Sequence, residues 1–477
     1  MKADPAALGQ LREALVAAGY SEARLAERFG IQGALSPDAG ELPFHRRVLG
    51  DARPLSTLVE LFQLALEVER DAAAEALAPA SLEELDAAGL VEGAARVRST
   101  VALHPVGDLF VASDWEREDG PPERSDHVLG PSGPSRSLAA LTPREAVRSA
   151  LDVGAGCGLQ ALEAARHSPN VVAVDVNPRA LEFTRFNAAL NGLENVECRE
   201  GSLFAPVEGE RFDLIVCNPP YVVSPETEYV FRDSGLPGDS FCEALVRRMP
   251  QFLADGALGL ALVSWVHGAE EDWSAPLRRW IDGSGCDALL VRRHSLDPLA
   301  YASAWNRILV REPDEYDAAL ERWLEYFERL RIELIGWGAV VLRRRERGPN
   351  AVTAIEVPGE PEPGSGRHVR RLLRAQELLG GLPGDTLLDA RLVLADDHRL
   401  AQVLKLRQGQ ATVEQSALRL VGGLPLEARL DLQALQLVAE LDSGRAARDL
   451  LADPEAALPA LRQLVELGLL VPAADLG

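Results

Sequence analysis

The sequence predicts an α/β fold built on a doubly wound, mostly parallel sheet. Three observations point to it. Between residues 146 and 345 short apolar runs alternate with helical stretches. The first of these runs passes straight into a glycine-rich turn, and a later one ends in the stiff corner Asn218-Pro219-Pro220-Tyr221. Strands alternating with helices give sheets whose ligands sit at the carboxyl ends of the strands.

Taken in order along the chain, residues 1–115 read as a helical, winged-helix-like N-terminal domain. Apolar residues recur at three- and four-residue spacing from 8 to 95, with a break at Ser36-Pro37-Asp38-Ala39-Gly40. Alternating runs then flank Pro105-Val106-Gly107-Asp108 and read as a hairpin. Residues 116–145, rich in Pro, Gly, Ser and charge, read as a linker or a lid over a site. Residues 146–348 carry seven apolar runs, at 150–153, 171–175, 196–199, 212–217, 258–263, 288–291 and 337–342, which predict a seven-stranded sheet. Residues 349–366 are Pro/Gly/Glu-rich and read as a second linker. The remainder, 367–477, reads as an α+β, winged-helix-like C-terminal domain closing on Gly468-Leu469-Leu470-Val471.

Composition narrows the function. A chain of 477 residues with 47% hydrophobic content has material for several domains. It contains no apolar run of roughly 18 residues, and Met1-Lys2-Ala3-Asp4-Pro5 has neither a basic nor an apolar leader pattern. A cytoplasmic protein without a membrane partner is therefore expected. The net charge of −24 opposes broad capture of phosphate backbones and leaves room only for a local basic face. Cys157, Cys198, Cys217, Cys242 and Cys286 have no CxxC spacing and no His-rich companion segment. They read as small buried residues, with no metal site and no disulfide framework. Nothing in the pattern sets an oligomeric state.

The first chemical motif is Leu151-Asp152-Val153-Gly154-Ala155-Gly156-Cys157-Gly158, a strand entering glycines before a helix at 159–168. Glycines let backbone approach a ligand that a Cβ would exclude, and the helix start offers unpaired N–H groups. By itself this also fits a nucleotide-binding oxidoreductase. The strand at 171–174 then ends in Asp175, whose carboxylate suits both ribose hydroxyls of an adenosyl group. Asp175 also suits an N-cap for the helix starting near Pro178, and the roles can coexist. The third motif carries most weight. Prolines fix φ and lack N–H groups, so the corner at Asn218 is stiff and turns carbonyls outward. The Asn218 side-chain oxygen and the Pro219 carbonyl can each accept one hydrogen of a planar NH2, with the Tyr221 ring against the substrate.

With these motifs the chain resembles the class I S-adenosylmethionine-dependent methyltransferases that modify planar nitrogens. It looks most like the release-factor glutamine methyltransferases and the small-domain ribosomal-RNA guanine amine methyltransferases. The stretch from Asp175-Val176-Asn177-Pro178 to residue 196, and Glu200-Gly201-Ser202-Leu203-Phe204, are similar to both. The resemblance covers about residues 146–263 and neither end. It implies a Rossmann-like methyltransferase sheet with S-adenosyl-L-methionine as cofactor. Gly154, Gly156 and Gly158 would form the methionine-side loop, with Asp152 and Ala155 beside it; Asp175 would hold the ribose, and Val176 would be a further cofactor contact. Ser202 and Leu203 stand where these families carry an adenine-contacting acid. Asn218, Pro219, Pro220 and Tyr221 match the catalytic substrate clamp, and Asn218 also borders the cofactor. The continuation from Tyr229 to Asp239 is only loosely like the acidic, glycine-rich stretch of the glutamine enzymes.

The reaction so implied is direct displacement of methyl from sulfur, which needs alignment and exclusion of water more than a strong base. The expected acceptor is a glutamine amide of a protein. An exocyclic amine of adenine or guanine in RNA or DNA, a small molecule, and a cofactor-sensing winged-helix regulator are the alternatives. Trp265 and His267, at the end of a strand, are weaker substrate candidates. The run Arg343-Arg344-Arg345-Glu346-Arg347 reads as a solvated sheet edge or a nucleic-acid patch. Since the glycine loop and the clamp both lie between the ends, a fragment near 116–348 is expected to bind cofactor.

Overall fold

A computed structural model describes residues 4–29, 42–50, 54–116, 124–345, 350–381, 384–407, 410–441, 445–450 and 453–475. The expected break at Ser36–Gly40, and Glu346 and Arg347 of the arginine run, lie outside the described residues.

The central sheet contains β1 (Ala150–Val153), β2 (Val171–Asp175), β3 (Val196–Glu200), β4 (Phe212–Cys217), β5 (Leu253–His267), β6 (Cys286–Leu296), β7 (Leu334–Arg344) and β8 (Val352–Glu356). Their order is β8-β6-β7-β5-β4-β1-β2-β3. Only β7 runs against its neighbours; the other pairings are parallel. Strands buried on both faces read as unbroken apolar runs, as in β2, where Val171, Val172, Ala173 and Val174 are all buried. The expectation of seven strands is one short. Residues 352–356, assigned to a linker, pair with β6 from Ala288↔Val352 to Arg292↔Glu356. As a half-buried edge strand beside a Pro/Gly/Glu segment, β8 lacks the apolar run that marks the inner strands.

The chain winds from β1 outward to β2 and β3, then crosses to β4 and β5 on the other side of β1. The order therefore reverses between β1 and β4, which opens a crevice above their carboxyl ends. β5 and β6 flank β7, and the β6–β7 connection carries two helices, Pro298–Trp305 and Pro313–Leu330. Adjacent antiparallel strands need only a short hairpin, so this insertion has a purpose beyond connection. Its Tyr301, Trp323 and Phe327 form a core with Val222 and Val223, just after the clamp corner.

At the N-terminal end, among the described residues, six helices accompany a small sheet ordered Val68–Glu69, Arg96–Ser99, Val91–Glu92. A hairpin of Ala102–Val106 and Leu109–Ser113 follows. Asn187 on the helix Pro178–Leu190 and Asn191, the residue that caps its C-terminus, treat this hairpin as a strand would. Asn187 Oδ1 accepts from Ala112 N (2.8 Å) and its Nδ2 donates to Ala112 O (2.9 Å); Asn191 repeats the pair with Phe110 (2.9 and 2.7 Å). Leu8, Leu58 and Phe110 share one hydrophobic core with Leu159, Phe183 and Phe186 of the central region. Within the stretch read as a linker or lid, Gly133–Leu141 is a helix capped by Ser132 that buries Leu138 and Leu141.

Past β8, the helix Ser365–Gly381 buries Val369, Leu372 and Leu373 in the same core as Leu138, Leu260 and Val291. A three-stranded sheet (His398–Arg407, Gln410–Leu420, Glu427–Leu430), a two-stranded pair (Leu392–Leu394 with Leu470–Pro472) and short helices complete this end.

Candidate active site

A cavity of about 390 Å³ opens at the carboxyl ends of β1, β2 and β4. Gly154, Ala155, Gly156, Asp175, Val176, Ser202, Leu203, Asn218, Pro219 and Pro220 all line it, so residues spread over 67 positions of sequence meet in one place. Asp152, Gly158 and Tyr221 do not lie on its wall.

The glycine loop bends through left-handed backbone at Gly154 (φ +76°) and Gly156 (φ +56°). A Cβ on Gly156 would meet nothing of the protein within 4 Å and would stand in open cavity. Gly156 N donates to Asp175 Oδ2 (2.9 Å), while Asn177 N donates to Oδ1 (2.8 Å). Burial pushes the Asp175 carboxyl up, and these N–H groups pull it back toward the ionised form. Each carboxylate oxygen keeps a second acceptor site for a ligand hydroxyl. Val176 exposes 49% of its surface and Leu203 adopts φ +51°, which gives the wall two apolar contacts for a flat ring.

The clamp corner leaves β4 at Cys217. Asn218 Oδ1 is buried and takes no hydrogen bond from the protein. An unpaired buried acceptor is costly, and here it lies on a cavity wall beside two prolines that have no N–H to offer.

The absent three have structural duties. Burial pushes the Asp152 carboxyl up to about 7, and its Oδ2 accepts from Ala161 N (2.9 Å), anchoring the helix Leu159–Ala165. At Gly158 (φ +86°) a Cβ would lie 2.9 Å from Thr184 Cγ2, so the glycine lets that helix approach Pro178–Leu190. The Tyr221 ring packs 6.2 Å from Trp337, its hydroxyl faces that indole, and burial pushes the hydroxyl far up. In this structure the ring is off the cavity wall and packs behind the clamp corner.

Several wall residues escaped the sequence reading. His127, Val128, Leu129, Gly130, Ser132 and Ser135 come from the stretch read as linker or lid, whose composition signals a loop without naming contacts. Val230, Phe231, Asp233 and Ser234 come from the loosely matching continuation, and Thr227 lies just before it. The β6–β7 insertion holds the loop from 223 to 238, which includes that continuation: Val223 N donates to Tyr301 OH (3.1 Å), Gly238 N to Tyr326 OH (2.8 Å), and Trp323 Nε1 to Glu226 (3.3 Å).

The weaker candidates are placed elsewhere. Trp265 is fully buried with its Nε1 donating to Trp273 O, and His267 Nε2 pairs with Ser295 Oγ (2.9 Å). Arg343 and Arg345 bind the buried carboxylate of Asp287, and Arg344 donates to Pro250 O, so this part of the arginine run is tied into the fold. The five cysteines are free thiols. Among the described residues no His/Cys/Asp/Glu group could hold a metal ion, and no helix is long and apolar enough to cross a membrane.

Taken together, the wall offers a carboxylate for paired hydroxyls, apolar faces for a ring, an open backbone loop and an unpaired amide oxygen. That chemistry suits an adenosyl cofactor beside an NH2-bearing acceptor. Residues 133–233 match the family Methyltransferase small domain, and residues 17–102 match Domain of unknown function (DUF7059). The central region has an α/β methyltransferase fold and is similar to class I S-adenosylmethionine-dependent methyltransferases.

Among particular proteins, a release factor glutamine methyltransferase from Aliivibrio fischeri is 44% identical over 89 residues, covering 18% of this chain and 31% of the relative. A ribosomal protein uL3 glutamine methyltransferase from Bradyrhizobium diazoefficiens is 36% identical over 151 residues, covering 28% of this chain and 46% of the relative. The chain thus spans less than half the length of these two curated relatives. Among solved structures, an rRNA methylase from Streptococcus thermophilus aligns over 44% of this chain and 94% of its own, at 17% identity and a TM-score of 0.26.

Proposed function

We propose that this chain is an S-adenosyl-L-methionine-dependent N-methyltransferase acting on the side-chain amide of a glutamine in a protein. The single observation that carries this reading is the buried, unpaired Asn218 Oδ1 on the wall of a cavity that also contains Asp175 and the glycine loop. The printed activities of the two relatives, both glutamine methyltransferases, support the acceptor class.

Asp175 holds the ribose hydroxyls, Val176, Ser202 and Leu203 contact the adenine, and the backbone at Gly154, Ala155 and Gly156 borders the methionine part. When bound, the cofactor supplies an electrophilic methyl group on a sulfonium leaving group. Asn218 Oδ1 and the Pro219 carbonyl accept the two amide hydrogens. This fixes the nitrogen in line with the methyl carbon and returns electron density to an otherwise delocalised lone pair. Pro220 keeps the corner stiff, and Tyr221 keeps it in place from behind. The engagement of Tyr221 with Trp337 favours a slim amide over a nucleobase, which would need a free aromatic face for stacking. The net charge of −24 points the same way. The flanking regions 1–115 and 367–477 select the acceptor protein, and the described chain is consistent with a soluble cytoplasmic enzyme.

The test is transfer of labelled methyl from the cofactor into an extract of the source cells, followed by protease or nuclease digestion and acid hydrolysis. Label recovered as N5-methylglutamine supports the reading. Label released by nuclease, or recovered as a methylated base, overturns the acceptor class.

A further inference from the structure

Two segments meet over the cavity, residues 125–130 and 227–234. Val230 N donates to Ser125 O (3.3 Å), and the rings of His127 and Phe231 pack at 6.0 Å. His127 is 7% exposed and lines the cavity. Its Nδ1 faces Asp114 Oδ2 at 3.8 Å, too far for a hydrogen bond but close enough for the carboxylate to favour a proton on that nitrogen. Nε2, on the far side of the ring, is buried and has no partner in the protein. With the proton on Nδ1, Nε2 keeps an unpaired lone pair on a ring that lines the cavity.

Position narrows what that lone pair meets. Asp126 O accepts from Asn177 Nδ2 (2.9 Å), and Asn177 N donates to Asp175 Oδ1 (2.8 Å). His127 is thus tied to the turn that carries the ribose-side carboxylate. Asp114, the residue after the N-terminal hairpin, accepts from Val128 N (2.8 Å) and forms a two-pronged pair with Arg179.

We infer that His127 Nε2 is a cofactor ligand, accepting a hydrogen bond from a ribose hydroxyl of the adenosyl group, and that Asp114 is its positioning residue. This rests on reading the chain as S-adenosylmethionine-dependent. It also makes the N-terminal hairpin a contributor to the cofactor pocket. The groups acting on the ring are Asp114, Glu116 and Asp126, which favour protonation, and Arg179 and burial, which oppose it; burial is the largest effect, so the neutral ring persists below the usual histidine range. Protonation removes the acceptor, so affinity falls once the pH drops below the usual histidine range.

Calorimetric titration of S-adenosylmethionine from pH 8 to pH 5.5 tests this, with thermal melting to confirm that each variant is folded. His127→Phe keeps the contact with Phe231 and should bind roughly tenfold more weakly at pH 8. His127→Gln, which can present an amide oxygen, should bind within about threefold of wild type and lose the part of the pH dependence due to the ring. Asp114→Asn should shift the wild-type loss of affinity to lower pH, an effect that mere packing would not produce. Equal affinity in wild type and folded His127→Phe, or identical pH profiles in wild type and His127→Gln, would overturn the inference alone. A wild-type protein that binds no S-adenosylmethionine would overturn the methyltransferase reading and this inference with it.

Discussion

In Asn218→Ala the amide oxygen that sits buried without a partner disappears. Leaving such an acceptor unpaired costs about 1–3 kcal/mol, so its removal relieves the folded protein. Against this stands the loss of packing, which is small because Asn218 is only partly buried and already borders an open cavity. The unliganded variant should therefore be as stable as wild type or up to about 2 kcal/mol more stable. Methyl transfer should behave oppositely. An electrostatic contact that orients and activates the nucleophile is worth roughly a hundredfold or more in rate. Since Asp175 and the glycine loop are untouched, cofactor affinity should stay near wild type. Thermal melting, cofactor calorimetry and single-turnover transfer measure the three quantities separately. A folded variant that transferred methyl at the wild-type rate would refute the clamp and move the search to oxygen, sulfur or carbon acceptors. A variant destabilised by more than about 2 kcal/mol would make Asn218 a structural residue instead.

Three further outcomes follow from the same geometry. Asp175→Ala removes the carboxylate that accepts from Gly156 N and Asn177 N; cofactor affinity should fall roughly tenfold or more, and unchanged calorimetry would exclude Asp175 from the site. Gly158→Ala and Gly156→Ala should separate structure from binding. Both strain a left-handed backbone by about 1–2 kcal/mol, but only Gly158 adds a contact at 2.9 Å with Thr184. Melting should therefore show the larger stability loss at Gly158, and titration the larger affinity loss at Gly156; the reverse order would sink the assignment. Asp152 sets a pH-dependent stability. Its folded-state pKa is raised to about 7, against about 4 in an unfolded chain, so the unfolded form releases its proton first as pH rises. Wild-type stability thus falls between those two values and stays lowered above them. Asp152→Asn, which keeps an acceptor for Ala161 N, should gain up to about 4 kcal/mol over wild type above pH 7 and lose that advantage by about pH 4. Equal denaturation midpoints at pH 8 would refute it.

What the sequence determined by itself was whatever a short stretch of chain can encode. The run from Leu151 into Gly154 and Gly156, the carboxylate at the end of β2 and the Asn-Pro-Pro corner at the end of β4 are local patterns. A parallel sheet carries the ends of its strands to one edge, so these motifs converge without further information. The apolar runs of the inner strands were visible for the same reason: burial on both faces leaves a continuous signature. The tertiary structure decided what depends on partners far away in sequence. β8 is a strand only because β6 offers it an edge. Gly158 serves helix packing because Thr184 stands opposite it, and Tyr221 faces Trp337 because β7 returns antiparallel beside β5 and β6. The roof of the cavity was least legible, since His127 gains its meaning from Asp114 on one side and Phe231 on the other. No local periodicity records a side chain whose role is set by two loops meeting over an empty space.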